Sequence, residues 1–216
     1  MRNVLITGLK NEFDKKLAEI FTREGYKVFA LGEEKIESVF LLPLDINNAA
    51  FMLNGAGFID LYIDVSDERG DSDNFDVRSG INDQVMKKLY NINVIKPMAM
   101  LEAFFPLLES GETKRICYLT SAQASINETR GTTGYGYKMA KAGLHQFLQI
   151  TRNALAPKNY TIRVFDPLYG EVSASASAEA AFNYFTRGRG VERGDKMRDD
   201  ENNLVFRDAF GRQHSW

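Results

Sequence analysis

Very little in this chain could form a cross-link or hold a metal: among 216 residues there is one cysteine, Cys117, and two histidines, His145 and His214. A lone cysteine excludes an internal disulfide and agrees with a reducing, cytoplasmic setting. Cys117 sits in an apolar run with no basic residue immediately beside it, which predicts a buried, inert thiol. Two histidines this far apart make no metal cluster, so surface or packing roles are expected for both. No run of about 18 apolar residues occurs, so nothing is expected to span a membrane. The opening MRNVLITG enters a strand at once and lacks the apolar core of a signal peptide. A net charge of −2 gives no electrostatic case for nucleic acid. The one Arg-rich stretch, Arg187 to Arg198, is diluted by Glu192 and Asp195 and reads as a solvated face.

What is present is a regular alternation of short apolar runs and helical patterns. Asn3 to Thr7 reads as a buried strand ending at Gly8. Phe13, Leu17, Ile20 and Phe21 recur at helical spacing up to Gly25. Strands are expected over Tyr26–Leu31, Phe40–Leu44, Ile59–Val65, Arg115–Thr120 and Tyr160–Phe165, with a last one over Leu204–Arg207. Helices are expected over 47–57, over Ile81–Glu109 with a bend near Pro97, over Gly136–Leu155 and over Ser173–Phe185. Strands separated by helices imply right-handed crossovers and a parallel sheet covered on both faces. The fold class is therefore α/β: a Rossmann-type, doubly wound, three-layer α/β/α sandwich. With no repeat and no long linker, residues 1–216 are expected to form a single domain. Ligands of such sheets bind beyond the carboxyl ends of the strands, where the strand order reverses. Residues 66–79, rich in Asp and Ser, read as a solvated loop; Asp64, Asp67, Asp71 and Asp73 match no calcium-loop spacing.

One constellation carries chemistry. Tyr137 and Lys141 are four apart on a helix, so they share a face. An ammonium beside a phenol favours the phenolate and is expected to lower its pKa from about 10 toward neutrality. Such a phenol can exchange protons with an alcohol or carbonyl. Ser121 follows directly on the fifth strand, placed to hold a substrate oxygen.

These residues, in this order, resemble the short-chain dehydrogenase/reductase family. The likeness runs from Val4 to about Gly170, with Tyr-x-x-x-Lys as Tyr137 to Lys141 within YGYKMAKAGL, the serine as Ser121 in YLTSAQAS and the asparagine as Asn93 in NINVIKP. The adenine-contacting aspartate maps to Asp45 in LDI. The ending FRDAFGRQHSW is similar to the carboxyl tail of the small C-factor and sniffer-like branch. The resemblance implies an NAD(P)-dependent oxidoreductase of small carbonyls or secondary alcohols. Tyr137 would be the acid/base, Lys141 would lower its pKa and bind the nicotinamide ribose, Ser121 would orient the substrate oxygen, and Asn93 would hold a water linked to Lys141. It also implies cofactor contacts at Thr7, Gly8, Gly32, Asp64 and Gly170, and a homodimer or homotetramer. Its interface would use the helices near Pro97–Leu108 and Tyr137–Leu155, which carry Phe104, Phe105, Leu144 and Phe147.

The pattern departs from the family at three loops. Thr-Gly-x-x-x-Gly-x-Gly is here Thr7-Gly8-Leu9-Lys10-Asn11-Glu12-Phe13-Asp14, so only the first glycine remains. Carboxylates there favour a helix start and oppose a phosphate, with Lys10 compensating in part. Asn-Asn-Ala-Gly is Asp64-Val65-Ser66-Asp67, and Pro-Gly is Tyr169-Gly170. Glu33 and Glu34 after the second strand would repel a 2′-phosphate and incline the choice between NAD and NADP toward NAD. Two alternatives stand beside the oxidoreductase: a binding or signalling protein that keeps the fold without turnover, and acid/base chemistry without nicotinamide.

Overall fold

A computed structural model describes residues 1–33, 35–70, 73, 78, 80–188 and 198–216. Apolar, β-branched runs become the strands β1 (Asn3–Thr7), β2 (Lys27–Leu31), β3 (Phe40–Leu42), β4 (Leu61–Asp64), β5 (Arg115–Leu119), β6 (Thr161–Asp166) and β7 (Phe206–Asp208), largely buried except for the edge strand β3, where Phe40 and Leu41 are exposed. Together with β8 (Gln213–His214) they form one sheet in the order β3-β2-β1-β4-β5-β6-β7-β8. Every pairing is parallel except β7 with β8, which is antiparallel. That last strand is absent from the sequence reading, because two residues are too few to carry a period. The order reverses at β1, so a crevice opens between the carboxyl ends of β1 and β4, where Thr7 is in register with Asp64.

Six helices are described: α1 (Glu12–Arg23), α2 (Ile46–Asn54), α3 (Asp83–Tyr90), α4 (Lys96–Glu109), α5 (Tyr135–Leu155) and α6 (Ala174–Thr186). The apolar core lies in two clusters, one on each sheet face. Leu53, Phe104, Leu144 and Leu148 belong to one, and Phe13, Leu17, Phe21 and Phe185 to the other. The Ser173–Phe185 pattern is therefore a core helix, with Ala178, Ala181 and Phe185 fully buried. Phe104 and Leu144, expected on an interface, are core residues instead.

The long helix expected over Ile81–Glu109 is broken by a π-helical turn, Asn91–Ile95. Pro97 has no N–H to donate to the carbonyl of Asn93 four residues back, so the ladder must change there. The Arg-rich stretch falls outside the described residues except at its ends; at one of them the carbonyl of Arg187 accepts from the buried Arg115.

Candidate functional site

The carboxyl ends of β1, β4, β5 and β6 bring the chemistry-bearing residues to one rim of the sheet. A cavity of about 580 Å³ opens at the crevice beside β1, bordered by Thr7, Gly8, Lys10, Gly32, Asp64 and Ser66, with Leu41, Leu44 and Met100 as its apolar side. Gly8 has a φ of +85°, and a Cβ there would lie 2.3 Å from the Ser66 hydroxyl. Only glycine permits the β1 loop to approach the β4 loop this closely.

Four side chains converge next to this cavity. Tyr137 and Lys141 project from α5, and both are buried. Tyr137 Oη donates to Asp67 Oδ1 at 2.7 Å, and Lys141 Nζ lies 3.1 Å from the same oxygen. Lys141 also donates to the carbonyl of Ser66 at 2.9 Å. Ser121 lies two residues past the end of β5; its hydroxyl accepts from Gln123 N–H at 3.3 Å and exerts a weak lowering pull on the Tyr137 phenol. Asn93 is fully buried, but its side chain is spent on backbone: Nδ2 donates to the carbonyls of Glu68 (2.8 Å) and Leu89 (2.9 Å), and Oδ1 accepts from Glu68 N–H (3.1 Å). The Asn93 side chain is thus tied to the loop after β4 and to Leu89.

The expected lowering of the Tyr137 pKa is reversed. Burial raises it well above the ordinary phenol value, and the Asp67 carboxylate adds to the rise, against weaker pulls from Arg69 and Ser121. A phenol hydrogen-bonded to a carboxylate keeps its proton.

Asp64, Asp67 and Asp73 are buried and bonded rather than solvated. Asp64 is buried, accepts from Thr7 Oγ1 at 2.7 Å, and has a raised pKa through burial. Asp67 is 6% exposed at its side chain. Asp73 is buried and accepts from the backbone N–H groups of Gly136 (3.1 Å) and Tyr137 (2.8 Å). Gly134, the residue before α5, offers no side-chain cap, so Asp73 supplies one from a distant loop and sets the start of the helix that carries Tyr137. Sequence reasoning missed this, because an Asp among Ser and Gly gives no sign of a partner 64 positions away. Asp71 and Glu34 lie outside the described residues.

The loop after β1 is closed by its own side chains. Asp14, in the third glycine's place, is fully buried. Its Oδ2 accepts from the N–H groups of Lys10 (2.7 Å) and Asn11 (3.0 Å), and Asn11 caps Asp14 in return. Its Oδ1 has no hydrogen-bond partner among the described residues. Burial pushes Asp14 up to about 7, against those two hydrogen bonds and with added repulsion from Asp67 and Asp64. Glu12 points away, exposed. Lys10, expected to meet a phosphate, pairs with Glu68 at 2.9 Å. Tyr169 reaches the same loop, accepting from Asn11 Nδ2 at 3.3 Å and packing edge-on against Phe13. Gly170 borders a separate hollow of about 290 Å³ behind α1. Asp45 is exposed and caps α2 through Asn48 N–H, away from the cavity that its neighbour Leu44 lines.

His145 and Cys117 are packing residues. His145 is buried, bonds Thr120 Oγ1 at 2.5 Å, and is pushed down to about 3 by burial and then by Lys141. Cys117 is raised by burial to about 12 and is inert as a thiol. Trp216 stacks edge-on against His145, and its carbonyl accepts from Ser125 and Asn127, so the tail ties down the loop that follows Ser121.

A parallel sheet of this order with helices on both faces is the fold of solved short-chain dehydrogenases and carbonyl reductases. Its structural neighbours are of that kind. A carbonyl reductase of Pseudomonas aeruginosa PAO1 in complex with NADP superposes with a TM-score of 0.76 at 20% identity over 100% of both chains. The carbonyl reductase Sniffer of D. melanogaster superposes with a TM-score of 0.79 at 14% identity, again over 100% of both. In sequence, the chain is 27% identical over 172 residues to an uncharacterized oxidoreductase of Saccharomyces cerevisiae, covering 76% of this chain and 64% of that protein. It is 26% identical over 82 residues to C-signal of Myxococcus xanthus, covering 38% of this chain and 49% of that protein. The chain thus spans less than two thirds of the length of these curated relatives. No protein-family model matches it.

Proposed function

We propose that the protein is an oxidoreductase of the short-chain dehydrogenase/reductase type, acting on a carbonyl or secondary alcohol of a small molecule with a nicotinamide dinucleotide. The observation that carries this reading is the convergence of Ser121, Tyr137 and Lys141 beside the Thr7–Gly8 crevice. The donor set fits a dinucleotide unevenly. The cavity offers an apolar slot and Lys10, Lys15 and Lys96 for the adenosine end. Lys141 and Tyr137 supply the donors for a ribose, and both are bonded to Asp67. A nicotinamide held there would supply or accept the hydride. The chain's own part is to orient the substrate oxygen with Ser121 and to move a proton at Tyr137 Oη. NAD and NADP both remain in the proposal. The inclination to NAD has no support from the neighbours, since the bound cofactor of the Pseudomonas reductase is NADP.

In a panel of aldehydes and ketones, oxidation of NADPH or NADH should be seen at the nicotinamide absorbance band, and Tyr137→Phe should cut kcat by about 100-fold or more with the fold intact. Full activity in that variant would remove Tyr137 from the chemistry. Substrate loss without change at that band would favour acid/base chemistry without nicotinamide. A second reading, a nucleotide-responsive binding or regulatory protein without turnover, is favoured by Asp14 and Asp67 standing where the family's glycines stand. We place the protein in the cytoplasm, where its one buried thiol would stay reduced. Among the described residues no helix is long and apolar enough to cross a membrane.

A further inference from the structure

Three of the four residues that the family resemblance assigns to catalysis bond to one short loop. Asn93 grips the backbone of Glu68 through both its amide and its carbonyl. Lys141 donates to the carbonyl of Ser66. Tyr137 and Lys141 together hold the carboxylate of Asp67 between those two points. Asp64 fixes the loop from below through Ser66 N–H at 3.0 Å, and Lys10 ties its far side through Glu68. Asp67 is therefore locked on both sides of its own residue, with Arg69 closing over it at 3.6 Å. Arg69 in turn lies over the rings of Tyr137 and Tyr169, 5.8 Å from each.

A phenol O–H and an ammonium that converge on one oxygen form a site for an acceptor such as a sugar hydroxyl or a carboxylate. Here the chain fills that site with its own carboxylate. The cavity reaches Asp64 and Ser66 and stops there; Tyr137 and Lys141 do not line it. The adenosine end of the crevice is open, and the opposite end is held by Asp67.

We propose that Asp67 is a specificity-determining residue, an internal ligand on Tyr137 and Lys141 that a dinucleotide must displace and that an adenine nucleotide lacking a second ribose can leave in place. This rests on the dinucleotide reading above. A group that takes no part in binding the adenosine end weakens only ligands that reach past it, so Asp67 subtracts from dinucleotide affinity alone.

Calorimetric titration of the whole protein with NADPH and with 2′,5′-ADP, in wild type, Asp67→Gly and Asp67→Asn, tests the assignment. Both variants should tighten NADPH, Asp67→Gly by about tenfold or more, while 2′,5′-ADP stays within about twofold of wild type. Equal change in both ligands, no change in either, or weaker NADPH binding would overturn the role of Asp67 and leave the dinucleotide reading standing. Absence of nucleotide binding in all three proteins would overturn both. An ultraviolet titration of the phenols supplies a readout free of ligand. The tyrosine signal that Tyr137→Phe removes should move to lower pH in Asp67→Asn. If it does not move, the Asp67–Tyr137 contact is refuted whatever the nucleotides do.

Discussion

Asp14 shows how one side chain can shape the loop after β1. A buried carboxylate is costly unless hydrogen bonds compensate it, and here two N–H groups reach one oxygen while the other has none among the described residues. The folded chain therefore keeps Asp14 protonated up to about 7, whereas an unfolded chain releases that proton near the ordinary carboxylate value of 3.8. Between those values the native state binds the extra proton, so the stability it brings is whole at low pH and is lost as pH rises through 7. The full swing is on the order of a few kcal/mol. Asp14→Asn keeps an oxygen for the two N–H groups and stays neutral. Its Tm should exceed that of wild type at pH 8 by several degrees and match it near pH 4. An equal offset at both pH values would refute a buried titrating carboxylate. Asp14 was legible as a helix-start residue from its place in the sequence. That its carboxylate would turn inward onto the Lys10 and Asn11 amides was not, because the same residue type also serves exposed caps.

The elements after β6 hold the site from behind. β8 and the tail cross the loop that follows β5: Glu128 accepts from Ser215 N–H at 2.7 Å, and His214 bridges Glu128 (2.8 Å) and Asp208 (3.0 Å). Burial alone would lower the pKa of His214, but its hydrogen bonds to the two carboxylates outweigh that and raise it. The stability that the bridge contributes is present below the ordinary histidine value of about 6.5 and is lost as pH rises through the higher folded value. His214→Gln should lower Tm at pH 5.5 and have little effect at pH 9, measured by thermal melts across that range. A constant difference would place the contribution in packing instead. The same lesson holds for α3 and α4: Pro97 marked a bend in the sequence, but it took the packed structure to place a π-helical turn at Asn91–Ile95 and aim Asn93 at the loop after β4.

Across the molecule, exposed apolar residues are scattered, and four of them lie on α4, α5 and the π-helical turn. Ile95, Met98, Met139 and Ile150 are 47%, 37%, 56% and 59% exposed, whereas the phenylalanines expected on this interface face inward or lie half-buried. We propose a homodimer or homotetramer through this face, since exposed apolar area on helices is the usual seat of a symmetric contact. Ile150→Asp should shift the protein to a monomer in light-scattering chromatography without lowering its helical content, and a wild type that is already monomeric would refute the assembly. The α/β class, the seven principal strands and the placing of Ser121, Tyr137 and Lys141 at the carboxyl rim could be read from the chain alone. Alternating apolar runs, helix-start residues and the four-residue spacing are local, and local patterns survive into the fold. The partners of Asp14, Asp67 and Asp73 could not be read in this way. A hydrogen bond between residues 70 positions apart, such as that from Tyr137 to Asp67, exists only once parallel strands have set those loops side by side. A run of Asp, Ser and Gly looks the same in sequence whether water or a buried tyrosine satisfies it.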